Sequence, residues 1–333
     1  MSSPVATGTL GSVQGRRVLV TGGDGLIGRA VVRRLVEADA IVVSLDRGGD
    51  EAASRAAALG AESYVSGSVT DEAFVRSAIR GQDAVVHLAG IPGLGISEPG
   101  ELYAANALGT FLVLNAAADA GMAKAVFASS INAMGLPLNA RGVLPSRYPW
   151  DEDEPADIGD PYSLSKQANE AAAAAVARWS GMQVTGLRYP LVRDITVDDG
   201  RVFARHIRAA LRDEPRRQAC EGWTYLDVAD AAEATLAALT HDTPPAPGIL
   251  VAAPRTYLRQ PTDEALAAVA PAVRRAHIAG RDVPVRLDRA SRLIDFQAST
   301  FLEDLDPALL ADVSGFDDVE RPGEILAAKG ARA

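Results

Sequence analysis

The sequence predicts an α/β protein: a doubly wound parallel sheet followed by a smaller C-terminal lobe. Three observations carry this reading. A strand-like run, Arg17 to Val20, meets the glycine-spaced turn Thr21-Gly22-Gly23-Asp24-Gly25-Leu26-Ile27-Gly28, which opens onto the helical apolar face of Ala30, Val31, Leu35 and Val36. Apolar runs then alternate with helical patterns through the first half, the βαβ order of a parallel sheet that binds ligands at the carboxyl ends of its strands. Beyond Pro190 the alternation becomes intermittent and Arg-rich, which marks the second lobe.

Taken in order, Met1 to Gln14 is small, polar and without an apolar core, and reads as a disordered leader. Strands are expected at Val18 to Thr21, Ile41 to Asp46, Ser63 to Ser66, Ala84 to Leu88 and Ala125 to Ser129, with helices between them. Gly135 to Pro161, rich in Pro, Gly and acids, reads as a long surface loop whose run Asp151-Glu152-Asp153-Glu154 is a solvated face. Pro161 starts a helix through Ser180, in which the alanine run Ala171 to Ala175 is helix rather than low complexity, and Met182 to Arg188 is a further strand. The expected organisation is therefore a leader (1–14), a Rossmann-type dinucleotide-binding domain holding the catalytic residues (15–190), and a mainly substrate-binding lobe (191–333) whose segments around 222–252 return to the first domain.

At 333 residues and 48% hydrophobic, the chain can bury a sizeable core. Its net charge of −10 argues against a nucleic-acid or membrane surface and for a small-molecule substrate. A single cysteine, Cys220, forms no disulfide within the chain and no Cys-based zinc cluster, so it reads as a buried thiol in a protein of the reducing cytoplasm. His206, His241 and His277 lack partners at ligand spacing, and no metal is expected.

The glycine turn needs a dinucleotide to explain it. Gly22 lets the chain turn tightly off the strand, Gly25 lets the backbone approach a pyrophosphate, and Gly28 lets the helix pack close to the sheet. Asp46, closing the second apolar run, suits both hydroxyls of a ribose and repels a 2′-phosphate, so NAD is favoured over NADP; Arg47 beside it is the one group that works the other way. Tyr162 and Lys166 stand four residues apart, on one helix face, where an ammonium favours the phenolate and fits the phenol for acid–base work on an alcohol or ketone. Ser130, ending the fifth strand on the same sheet edge, is placed to hold the substrate oxygen.

These pieces, with His87-Leu88-Ala89-Gly90, Asn106 and Gly109-Thr110, occur in the order found in the extended short-chain dehydrogenase/reductase superfamily, and from Arg17 to Leu239 the chain resembles its branch of NAD-dependent sugar epimerases and dehydratases. The resemblance implies that Tyr162 is the acid/base, that Lys166 lowers its pKa and holds the nicotinamide ribose, and that Ser130 orients the substrate oxygen. It also implies a cofactor path over Gly22, Gly25, Leu26, Ile27, Gly28, Asp46, Arg47, Ser68, Val69, Leu88, Ala89, Gly90, Asn106, Ser129 and Tyr189, substrate contacts from Ser130, Asn132, Arg193 and Trp223, and a homodimer paired through the Ala-rich helix. His87 is expected to pack at the strand end rather than to act on substrate.

Two departures bear on the substrate. Where nucleotide-sugar epimerases follow the sixth strand with Arg-Tyr-Phe-Asn, this chain reads Arg188-Tyr189-Pro190-Leu191, and where they carry an arginine that clamps a diphosphate, it carries Trp223. The expectation is accordingly an NAD-dependent oxidoreductase of a small polar alcohol or ketone such as a free sugar or sugar acid. The alternatives are a sugar epimerase, with or without a nucleotide on the sugar, and a non-catalytic NAD-binding regulator. Arg201, Arg205 and Arg208 join Arg193 as candidate anion contacts. Ile131-Asn132, where dehydratases add acidic helpers, counts against dehydration.

Overall fold

The apolar runs become one seven-stranded parallel sheet in the computed structural model, which describes residues 10–313. Its strands are β1 (Arg17–Thr21), β2 (Ile41–Asp46), β3 (Ser63–Ser66), β4 (Ala84–His87), β5 (Lys124–Ser130), β7 (Gln183–Tyr189) and β10 (Ala246–Leu250), in the order β10-β7-β5-β4-β1-β2-β3. Two ribbons lie outside it: β6 (Arg147–Tyr148) with β11 (Arg274–Arg275), and β8 (Leu191–Arg193) with β9 (Tyr225–Asp227). The helices that fix the site are α1 (Leu26–Glu37), α2 (Asp50–Ala58), α3 (Glu72–Ile79), α4 (Pro99–Tyr103), α5 (Gly109–Asp119), α6 (Pro161–Ser180), α7 (Arg201–Asp213), α8 (Pro215–Cys220) and α9 (Val228–Thr240), and three short helices follow.

Alternate residues of each strand enter two different cores. Val18 and Val20 pack with Val31 and Leu35 of α1 and with the alanines of α9, while Leu19 packs on the opposite face with Val113 of α5 and Val176 of α6. Both faces are covered, which is why these strands read as unbroken apolar runs. Each buried Val or Leu contributes about 1.5–3 kcal/mol relative to exposure, so the central strands are the most heavily stabilised part of the chain. Residues after Pro190 share this core: Phe203, Trp223, Tyr225 and Tyr257 belong to the same cluster as Val18.

The chain leaves β3 on one side of β1 and re-enters at β4 on the other, so the loops after β1 and β4 diverge and open a crevice at their carboxyl ends. The floor of that crevice is tied by a buried polar chain. His87 Nδ1 lies 2.7 Å from Thr21 Oγ1 and its Nε2 lies 3.1 Å from Thr110 Oγ1, joining β1, β4 and α5.

Two expectations fail here. The stretch from Gly135 to Pro161 carries Leu136, Tyr148 and Trp150 in the core, and its acids are not all solvated. Glu152 accepts from Leu250 N at 3.0 Å, and Glu154 accepts from Ser146 N at 2.6 Å and its hydroxyl at 2.9 Å. They satisfy backbone donors that no regular element serves. Within the expected leader, Met1 to Thr9 lie outside the described residues, and Val13 is buried against the core rather than free.

Burial pushes the His87 imidazole down to about 3. The unfolded chain takes up that proton near pH 6.5 and the folded chain only near 3, so the unfolded state binds more protons between these values and stability falls as pH falls below about 6.5. We predict that the wild type loses on the order of 2 kcal/mol more between pH 6.5 and 5 than His87→Gln does, read from urea midpoints. Parallel pH profiles for the two proteins would refute a neutral, buried His87.

Candidate active site

Glycine at 22 and 28 is dictated by contact. A Cβ on Gly22, whose φ is +72°, would lie 2.6 Å from Ala89 N, and one on Gly28 would lie 1.9 Å from Gly22 O. The turn is thereby pressed against the strand loop after β4. Helix α1 starts from Gly25 with no side-chain cap, leaving its first N–H groups open to a ligand anion. Asp46 is held at the tip of β2 by Asp24 N at 3.0 Å and Arg47 N at 2.7 Å, one to each carboxylate oxygen. With Gly22, Gly25, Arg47, Ser68, Val69, Leu88, Ala89 and Gly90 it lines a cleft of about 410 Å³. An open helix end beside a Cβ-free turn, with a half-buried carboxylate beyond, fits a pyrophosphate and then a ribose diol. Ser68 turns its hydroxyl to Thr70 Oγ1 at 2.8 Å, so the loop after β3 brings no charge.

A second cleft, of about 920 Å³, shares Gly22, Gly25, Leu88 and Gly90 with the first and runs on past Leu26, Ile27 and Gly28 to Ser129, Ser130, Asn132, Tyr162, Lys166 and Tyr189. Helix α6 delivers the acid–base pair. It is capped by Asp160, whose carboxylate accepts from Ser163 N at 2.8 Å, and Pro161 sets its first turn. The Tyr162 ring packs on Ile91 and Leu102. Lys166 Nζ stands 5.8 Å from the centre of that ring and donates to Ala128 O at 2.9 Å. Burial pushes Lys166 down to about 8, with Glu170 pulling it back up. Burial also pushes the Tyr162 phenol up, while the Ser130 hydroxyl and Arg217 pull it down.

Three expected contacts have other work. Asn106 lies in a π-helical turn, accepts from Ile91 N at 2.7 Å, donates to Ile91 O and Ser165 Oγ, and lines neither cleft; it braces the loop after β4 against α6. Ser129 spends its hydroxyl on Glu170 at 2.6 Å, although the residue borders the cleft. Trp223 is 0% exposed and does not face the cleft at all, because a left-handed backbone at Gly222 and Trp223 turns the indole into the core.

Of the arginines lining the second cleft, Arg193 alone is without a carboxylate partner among the described residues. Arg201 is paired with Asp198 and Asp199, and Arg208 donates to Ala308 O and Leu309 O. The far wall is one that the sequence pattern does not reveal: His206 of α7 and Glu214, Arg217, Gln218 and Glu221 on and around α8. Burial lowers the His206 pKa, and the charges of Arg193 and Arg217 lower it further. No periodicity in a six-residue helix signals that it closes over a cleft.

The model of the NAD dependent epimerase/dehydratase family matches residues 18–253, from β1 past β10. The chain belongs to that family. Its glycine turn and Tyr162/Lys166 pair lie within the matched stretch. A UDP-glucose 4-epimerase of Streptomyces lividans is 32% identical over 157 residues, 46% of this chain and 45% of that one. A dTDP-glucose 4,6-dehydratase of Streptomyces niveus is 29% identical over 185 residues, 52% of each chain. The chain thus spans about half the length of the curated relatives it matches. Among solved structures, a superfamily protein of Agrobacterium tumefaciens with bound NAD aligns at TM-score 0.63 and 22% identity, covering 95% of this chain and all of that one. The UDP-Glc/GlcNAc 4-epimerase of Campylobacter jejuni aligns at 0.64 and 19%, covering 89% and 98%. These likenesses show a shared fold.

We predict that Gly28→Ala abolishes saturable NAD binding in a fluorescence titration and lowers the melting temperature, since the new methyl must displace the Gly22 carbonyl. NAD binding at wild-type affinity in this variant would show that the turn is not the cradle.

Proposed function

We propose that this family member is an NAD-dependent nucleotide-sugar epimerase. The observation that carries the reading is a single continuous opening from the glycine cradle, past Ser130 and Tyr162, to the unpaired Arg193. The relatives named UDP-glucose 4-epimerase support it. The expected free-sugar substrate rested on the loss of cationic contacts at 191 and 223. That argument fails, because Trp223 is not in the cleft and Arg193 brings a cation into it. A non-catalytic regulator is disfavoured by an intact Ser130, Tyr162 and Lys166 opening onto one space.

NAD, when bound, supplies reversible hydride acceptance, and Gly22, Gly25, Asp46 and Lys166 are the residues that would hold it. Ser130 fixes the substrate hydroxyl. Tyr162 Oη would take its proton as the carbon becomes a carbonyl and give it back as the alcohol re-forms; the centre inverts when the carbon regains its hydride on the opposite face of that carbonyl. Burial of Tyr162 and Lys166 keeps water from the proton path. Arg193 offers a charge-assisted contact for a diphosphate.

With UDP-glucose, we predict inversion at the sugar without net NADH, and a loss of at least about 10²-fold in turnover in Tyr162→Phe with NAD occupancy retained. Stoichiometric NADH from free aldoses or uronic acids, with nucleotide sugars inert, would restore the dehydrogenase reading.

We also propose a homodimer. Ala173, Val176 and Ala177 of α6 are used up inside one subunit, so the pairing face is the exposed Leu108, Phe111 and Leu164 beside α5 and α6. The expected result for Phe111→Asp is a shift from dimer to monomer in analytical ultracentrifugation. Among the described residues no helix is long and apolar enough to cross a membrane.

A further inference from the structure

Across the cleft from Tyr162, Arg217 is held between two carboxylates, and both it and Glu221 keep a free end. Arg217 Nε donates to Glu221 Oε1 at 2.9 Å, and its Nη1 donates to Glu214 Oε2 at 2.9 Å. Neither Arg217 Nη2 nor Glu221 Oε2 has a hydrogen-bond partner among the described residues, and both side chains line the cleft. Glu221 is only 5% exposed, yet its Oε2 is not enclosed: it opens onto the cleft, where a ligand hydroxyl can take the place of water and donate to it. The pair is rigid. Gln218, between the two residues on the same helix, is held from behind by the Tyr257 hydroxyl at 2.6 Å. Arg217 and Glu221 line the same cleft as Ser130 and Tyr162, and both charges act on the Tyr162 phenol, Arg217 pulling its pKa down and Glu221 pushing it up.

We propose that Arg217 and Glu221 are the specificity-determining pair that reads two adjacent hydroxyls of the sugar ring: Nη2 donates to one hydroxyl oxygen while Oε2 accepts the proton of its neighbour. An acceptor and a donor set side by side match a vicinal diol, which offers one of each. A carboxylate there also disfavours a sugar that carries its own anion at those carbons, which places the substrate's negative charge at Arg193 and its neutral ring at α8. This inference rests on the sugar-epimerase reading above and adds which part of the substrate the enzyme measures.

The test crosses protein and substrate. NAD-loaded wild type, Glu221→Gln and Arg217→Lys are assayed with UDP-glucose and with its 2-, 3- and 6-deoxy analogues, each variant first shown to melt cooperatively and to bind NAD. For UDP-glucose, the expected result is a rise in KM of about tenfold in both variants with a smaller change in kcat. At least one deoxy analogue loses about tenfold or more on the wild type and no more than about twofold further on the variants, since the contact is already gone. Equal losses on the parent and on every analogue would overturn the pair assignment while leaving the epimerase reading intact. A wild type that binds NAD and turns over none of these sugars would overturn both.

Discussion

The contact between the glycine turn and the loop after β4 is the constraint on which the rest of the structure depends. Gly22 is seated against the Leu88–Ala89 peptide and Gly28 against the Gly22 carbonyl, with no room for a methyl at either place. That closeness fixes where α1 begins, and so where its uncapped N–H groups point. It also fixes the loop that Asn106 clamps to α6 through Ile91 and Ser165, which in turn sets the height of Tyr162 above the sheet. Cradle and acid–base pair are therefore parts of one packed unit, and changing the first displaces the second.

Electrostatics behind the cleft follow from the same economy of space. Lys166 is buried and has one hydrogen-bond acceptor, Ala128 O, so its charge depends on Glu170 one turn along α6. Glu170 is itself engaged by Arg188 through two bonds of 2.8 Å and by the Ser129 hydroxyl. Gly248 lies over this group, where a Cβ would come within 2.8 Å of both Arg188 Nε and Glu170 Oε1. A paired, hydrogen-bonded cluster costs far less than an isolated buried charge, whereas removing one member leaves its partner uncompensated, typically at about 3–5 kcal/mol. Ser129 thus serves the lysine's counter-charge rather than the cofactor.

How much of this was legible in the sequence depends on the range of the interaction. The glycine turn, Asp46 and the Tyr162/Lys166 spacing are local, and their residue types are demanded by backbone geometry or by one turn of helix; the strands followed because residues buried on both faces form continuous apolar runs. Glu152 and Glu154 misled because an acidic run looks solvated until the backbone donors of Leu250 and Ser146 are known. Asn106 is a positional case: it sits beside the cofactor path, and its three bonds to Ile91 and Ser165 show it bracing the loop after β4 while it lines neither cleft. The α8 wall was invisible because nothing in Pro215 to Glu221 says which way a single short helix leans.

Trp223 shows how substrate recognition can move within a fold. A bulky residue with φ +51° is unfavourable by about 1–2 kcal/mol, and its indole N–H is left without a partner in the core. Both costs are offset by burial of one of the largest apolar surfaces a side chain offers, about 150–250 Å². The exchange converts a position at the cleft's margin into a structural pin between α8 and β9, packed with Tyr225 and Tyr257 in the common core. Once that segment is pinned, Glu221 and Arg217 are carried to the cavity wall two and six residues before it, while β8 independently presents Arg193. Under the proposed function, the cationic contact missing at 223 and the polar contact missing at 191 fall to groups on neighbouring elements. A residue-by-residue comparison registers only the two losses, because the gains lie at other positions.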